Sequence, residues 1–201
     1  MPNEIGLFDA MYTQRAIRHI KPDPIPDELV EQVIEAAIRA PNGGNQQNWG
    51  FVVIKDAEVK RKMAPLYRDV GRPNHGQADT WSAKNSESSA EYLGNHIEDV
   101  PVWILAVTKS TGNDISTGAS VYPAVQNMLL TARALGLASV LTTRVRRGYE
   151  KEMREWISLP DDWVTAAMIP LGWPLDGYTY GPTTRKPASG VTHWEKWGNH
   201  K

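Results

Sequence analysis

Seven consecutive residues, Val102-Trp103-Ile104-Leu105-Ala106-Val107-Thr108, are almost unbroken in apolar character. Side chains of a strand alternate between two faces, so an apolar run of this kind is stable only where both faces are covered. It predicts an interior strand with helices packed on either side. Three more short strands are expected, at Phe51–Lys55, Ser139–Thr143 and Thr165–Gly172. Between them lie segments with apolar residues at helical spacing. Glu28–Ala40 carries the stripe Leu29, Val30, Val33, Ile34, Ala37 and Ile38 behind a capping Asp27, and Gly118–Leu135 carries Val121, Val125, Met128, Leu129 and Ala132 before a terminating Gly136. Ala57–Tyr67, capped by Asp56, Ala90–Ile97 and Glu150–Ile157 also read as helices, and Ile5–Tyr12 as a short one with Leu7, Phe8 and Met11 on one side. The class is α/β (α+β), with helices around a sheet.

The chain of 201 residues fits one domain, 1–201, with two irregular additions. One is an excursion at about 68–89, rich in Gly, Pro, Asn, Ser and Asp, with Trp81 as its apolar anchor. The other is a structure-poor C-terminal arm at about 173–201 that ends in Trp194-Glu195-Lys196-Trp197, suited to embracing a second copy of the chain. A net charge of -1 gives no bulk attraction for nucleic acid. No apolar run has the ~18 residues of a membrane helix, and the N-terminus lacks the features of a signal peptide, so the expected location is cytoplasmic without membrane association. With no cysteine, thiolate catalysis, iron–sulfur ligation and cysteine zinc sites are excluded, and redox chemistry would need a borrowed cofactor.

The helix ending at Ala40 and the strand beginning near Phe51 are joined by Pro41-Asn42-Gly43-Gly44-Asn45-Gln46-Gln47-Asn48-Trp49. Pro41 stops the helix, the glycines permit positive φ or close approach of a ligand, and the amides offer donors and acceptors without charge. That chemistry suits a flat heterocycle with polar edges, although a well-bonded connector would look similar. Other signatures are missing. There is no G-x-G-x-x-G after a strand, no phosphate loop ending in G-K-[ST] and no G-x-S-x-G elbow. The five histidines never stand three or four apart, so no metal site is expected, and no catalytic side chain stands out. The remaining signal is basic: Arg15 and Arg18 near one end, Arg185 and Lys186 near the other, suited by donor geometry to a phosphate. The run Arg144-Val145-Arg146-Arg147 reads as a solvated face with a minor role in attracting an anionic substrate.

Four stretches, in order and spanning almost the whole chain, resemble the FMN-dependent nitroreductase family. They are Gln14-Arg15-Ala16-Ile17-Arg18 with Pro22 and the following helix, Pro41 through Val53, Ala134-Leu135-Gly136-Leu137-Ala138-Ser139, and Ile169-Pro170-Leu171-Gly172-Trp173-Pro174 with Arg185-Lys186-Pro187. The resemblance implies a mixed sheet surrounded by helices, an intertwined homodimer, and FMN at the subunit interface. Arg15 and Arg18, flanked by Gln14 and Ala16, would hold the FMN phosphate with Arg185 and Lys186. Pro41, Asn42, Gly43, Asn45 and Gln47 would reach the flavin of the other subunit. Backbone at Leu141, Thr142 and Thr143 would face the ring, one N–H donating to its N5, and Ser120 and Gln126 would lie on a helix lining the site. NADH or NADPH would supply a hydride through FMN to a small aromatic acceptor such as a nitroaromatic or quinone, with Trp81 and Tyr92 near the substrate. The same scaffold would also serve a flavin-storage protein, a reductive dehalogenase or a flavin-fragmenting enzyme. The chain departs from the family pattern at Ala16, where a serine is usual, and at Asn48, where a proline usually precedes the tryptophan.

Overall fold

The computed structural model describes residues 5–70 and 89–200. Trp81 and nearly all of the expected excursion lie outside the described residues. The strands are β1 (Trp49–Ile54), β2 (Val102–Lys109), β3 (Ala138–Ser139) and β4 (Trp163–Gly172), paired in the order β1, β2, β4, β3. The helices are α1 (Leu7–Thr13), α2 (Asp27–Ala37), α3 (Ala57–Asp69), α4 (89–95), α5 (Asp114–Ala134), α6 (Val145–Gly148) and α7 (Glu150–Trp156). The α+β class holds. Every strand pairing described within the chain is antiparallel, however, where a mixed sheet was expected.

β2 is interior, and its alternation divides the core. Val102, Ile104 and Ala106 join a cluster with α2 and α5, including Val33, Val125, Met128 and Ile169. Trp103, Leu105 and Val107 face the opposite cluster, with Met63 and Tyr67 of α3, Leu93, Ile97 and Met153. Trp103 has 1% exposure and donates its indole N–H to the Ile97 carbonyl at 3.0 Å, so the one polar atom of a large apolar side chain is satisfied. No helix among the described residues is long and apolar enough to cross a membrane.

Local signals placed some boundaries and misplaced others. Asp56 caps α3 by accepting from the Val59 N–H at 2.9 Å, and Gly136 adopts φ +78 just after α5. Asp27 does not cap α2: it is the first helical residue, and its carboxylate pairs with Lys55 at the end of β1. α5 begins four residues before Gly118 because Asn113 accepts from the N–H groups of Ile115 and Ser116. The strand expected at Ser139–Thr143 is reduced to two residues and an isolated bridge, Thr142 to Met168. Pro170 explains the gap. In the register set by Ser139↔Leu171 and Thr142↔Met168 it falls opposite Val140, where it has no N–H to donate to the ladder. The apolar side of α1 is not buried: Leu7, Phe8, Met11 and Tyr12 are all exposed, at 52–69%.

Candidate functional site

The loop that follows α2 is tightly built. Gly43–Asn45 forms a short 3-10 turn, with Gly44 at φ +59. Asn45 and Gln47 each adopt φ +52, a region non-glycine residues seldom occupy and that clusters at functional sites. The Asn42 side-chain oxygen accepts from the Gln47 N–H at 2.9 Å, closing the loop on itself. Ser120 of α5 accepts from the Gly43 N–H at 3.4 Å, joining the loop to the central helix. Without a proline at position 48, β2 fixes the exit: the Asn48 carbonyl accepts from the Lys109 N–H at 3.1 Å and the Thr108 hydroxyl at 2.6 Å. Gly43, Gly44, Asn45, Gln46 and Gln47 remain exposed, and so does Pro41, while Asn42 is half-buried.

Leu141, Thr142 and Thr143 leave the opposite edge of the sheet. The Thr142 N–H donates to the Met168 carbonyl at 2.9 Å, and the Met168 N–H returns to Thr142 at 2.8 Å. Thr142 is therefore not available to donate to a ring nitrogen. Because backbone N–H direction alternates along an extended chain, the neighbouring Leu141 and Thr143 N–H groups point away from β4. Thr142 is also held by its side chain, whose hydroxyl oxygen accepts from the Tyr67 hydroxyl at 3.4 Å and from the Arg144 N–H at 3.4 Å. A cleft of about 370 Å³ opens beside Thr143, lined by Asp114, Ile115, Tyr122, Thr143, Arg146 and Arg147. The glycine–amide loop precedes β1 and these backbone donors follow β3, so the two candidate walls stand at opposite edges of the sheet.

The expected basic groups differ in burial. Arg15 and Ala16 are exposed, Gln14 half-buried. Arg18 is drawn inward and half-buried, and its pKa is lowered, chiefly because burial removes water from the guanidinium, with Arg144 adding a like charge against the opposing influence of Tyr67. Arg185 and Lys186 are exposed on the arm, where Arg185 donates to the adjacent Thr184 carbonyl at 3.0 Å. Ser120 is half-buried and Gln126 exposed on α5. Among the described residues no group of three or more His, Cys, Asp or Glu side chains could hold a metal ion.

Tyr92 stacks on His19 at 4.0 Å between centroids, and Tyr178 covers the other face of His19 at 3.7 Å and 7°. This sandwich joins the segment after α1 to α4 and to the start of the arm. Arg144 corrects the reading of 144–147 as one solvated face. Arg146 and Arg147 are exposed, but Arg144 is half-buried, lies 4.6 Å from the Tyr67 ring centroid and donates to the Tyr67 carbonyl at 3.2 Å. Sequence reasoning missed Tyr67 and the inward turn of Arg144. The available signal was the position of Arg144 directly after Leu141-Thr142-Thr143; nothing local marks Tyr67.

A model of the nitroreductase family matches residues 12–173. A protein of Archaeoglobus fulgidus with the provisional name NADH dehydrogenase/NAD(P)H nitroreductase is 30% identical over 190 residues, covering 93% of this chain and 96% of its own length. Iodotyrosine deiodinase 1 of Rattus norvegicus is 25% identical over 89% of this chain, which spans about two thirds of that relative, 66%. Among solved structures, a provisionally assigned nitroreductase of Desulfovibrio desulfuricans in complex with FMN superposes with a TM-score of 0.70 at 25% identity, covering 97% of this chain and 99% of that one. The antiparallel sheet with its two helical layers, the glycine–amide loop and the register of the matched segments thus have one common source: the chain belongs to the nitroreductase family.

Proposed function

We propose that this chain is an FMN-dependent oxidoreductase that uses NADH or NADPH to reduce an electron-poor small molecule such as a nitroaromatic or quinone. The observation that carries the reading is the pairing of a half-buried Arg18, without a carboxylate partner among the described residues, with the Leu141–Thr143 edge, whose outward N–H groups the sheet leaves free. Tyr67 lies between the two: its hydroxyl donates to Thr142, and it is close enough to Arg18 to influence its pKa. A donor set of guanidinium and backbone N–H groups fits a group that is anionic at one end and rich in acceptors at its ring edge.

FMN would supply the redox chemistry when bound, taking a hydride from the nicotinamide and passing two electrons to the acceptor. The chain binds and orients. Arg15 and Arg18, with Arg185 and Lys186 of the arm, hold the anionic groups, and Gln14 and Ala16 flank them. Thr143 offers a ring-facing N–H, since that of Thr142 is already used. Pro41, Asn42, Gly43, Asn45 and Gln47, backed by Ser120, serve the site of a second copy. The matched residues 12–173 and the two shared core clusters support reading 1–201 as one domain with an arm from about 173. A homodimer would cover Leu7, Phe8, Met11 and Tyr12 of α1 and Val191, Trp194 and Trp197 of the arm, all exposed in the single chain.

An absorbance spectrum of the purified protein, before and after anaerobic NADPH or NADH, tests this. A flavin spectrum that bleaches on addition is expected; a colourless protein that takes up no added FMN would refute the reading. A bound flavin that neither nicotinamide reduces would instead favour storage. The likeness to iodotyrosine deiodinase supports a second reading, reductive dehalogenation, which release of halide from a halogenated aromatic by the reduced protein would reveal.

A further inference from the structure

Arg144 has no place in the scheme above, yet it is one of the most constrained cations in the chain. Its guanidinium lies over the Tyr67 ring at 4.6 Å, donates from Nη1 to the Tyr67 carbonyl at 3.2 Å and from Nη2 to the Ala90 carbonyl at 3.5 Å. A Cβ at Gly94 would come within 3.2 Å of Nη1, so the backbone of α4 closes tightly around it. Its own N–H donates to the Thr142 hydroxyl, placing it one residue beyond Thr143. Among the described residues, all the groups holding the guanidinium are neutral.

Arg18 lies near enough for the two charges to repel, and among the described residues neither has a carboxylate partner. Two half-buried like charges held by neutral groups are unfavourable unless an anion compensates them. We infer that Arg144 is an electrostatic positioning residue of the redox site: fixed by Tyr67, Ala90 and Gly94, it stands behind Thr142 as a second cation beside Arg18 and favours the negative charge that a flavin gains on reduction. The inference rests on the FMN reading. Two-electron reduction brings two electrons and one proton from the hydride donor onto the ring and leaves one negative charge there, which the pair would compensate. Arg144 does not touch the ring. Its influence reaches the ring through the field and through the Thr142–Arg144 turn that it anchors.

The test is the midpoint potential of FMN bound to the full-length protein, measured by equilibration with a reference dye. Arg144→Gln should lower the equilibrium constant for flavin reduction about tenfold, equivalent to about 30 mV for a two-electron couple. Arg144→Lys keeps the charge while losing the fork and the ring stacking, so its equilibrium constant should stay within about twofold of wild type even if its melting temperature falls. Equal potentials in wild type and Arg144→Gln would overturn the inference while leaving the FMN reading intact. So would a fall in Arg144→Lys as large as tenfold, which carries the test if the glutamine variant does not fold. A wild-type protein that takes up no FMN would overturn the FMN reading and this inference with it.

Discussion

The guanidinium of Arg133 lies 4.1 Å from the centroid of the Tyr180 ring, and its Nε donates to the Thr13 hydroxyl at 2.8 Å. One side chain on α5 thus ties the end of α1 to the root of the arm, which the Gly181 N–H also fastens through the Thr13 carbonyl at 3.0 Å. Beyond this clamp, bonds such as Gly190 to Pro187 and Asn199 to Lys196 shape the arm locally. Arg133→Met should lose a cation–π contact of about 0.5–2 kcal/mol and a hydrogen bond of about 1 kcal/mol. Trypsin should then cut sooner after Arg185, as read by mass spectrometry; an unchanged cleavage rate would count against the clamp.

Arg18→Ala removes a half-buried cation expected to hold an anionic cofactor. A charge-assisted contact contributes roughly 1.5–3 kcal/mol, so the dissociation constant for FMN should rise about 10- to 100-fold. Recovery of flavin fluorescence on dilution measures it, and undiminished retention would remove Arg18 from the site.

Gly172 ends β4 where a Cβ would lie 2.6 Å from Ile20 and 2.8 Å from Pro101. Ile20 bridges Pro174 and is itself buried, so neither neighbour can yield freely. Gly172→Ala should destabilise the fold by about 1–3 kcal/mol, as overpacking does. Urea unfolding checks this, and a midpoint equal to wild type would show that the segment around Ile20 gives way more easily than its packing implies.

His19, between Tyr92 and Tyr178, should make the junction sensitive to acid. Its pKa is lowered, first by burial and then by the charges of His96 and Arg18. The native state therefore binds fewer protons than the unfolded state below the ordinary histidine value of about 6.5. The stabilisation is complete above that value and is lost as the pH falls through the lowered native one. His19→Phe keeps a ring in the sandwich but removes the titration, so its stability relative to wild type should improve as pH is lowered. Parallel pH profiles of the melting temperature in the two proteins would exclude this role.

Much of this arrangement was legible because it depends on neighbours in sequence. An apolar run at 102–108 can only be an interior strand, Asp56 is placed to cap, Gly136 can adopt positive φ, and a proline followed by glycines and amides must break α2 and open a polar loop. Those features determined the class, the central strand and the polar loop after α2. The tertiary structure decided what depends on partners distant in sequence. Asp27 met Lys55 rather than its own helix end, Pro170 interrupted a strand some thirty residues away, and Thr142 spent its N–H on Met168. Arg144 and Arg147 are chemically alike in sequence, yet only Arg144 is placed against Tyr67 and α4. The physical reason is that a charge or hydrogen bond takes its strength from its surroundings, and packing between distant segments sets which groups lose water and which partners remain.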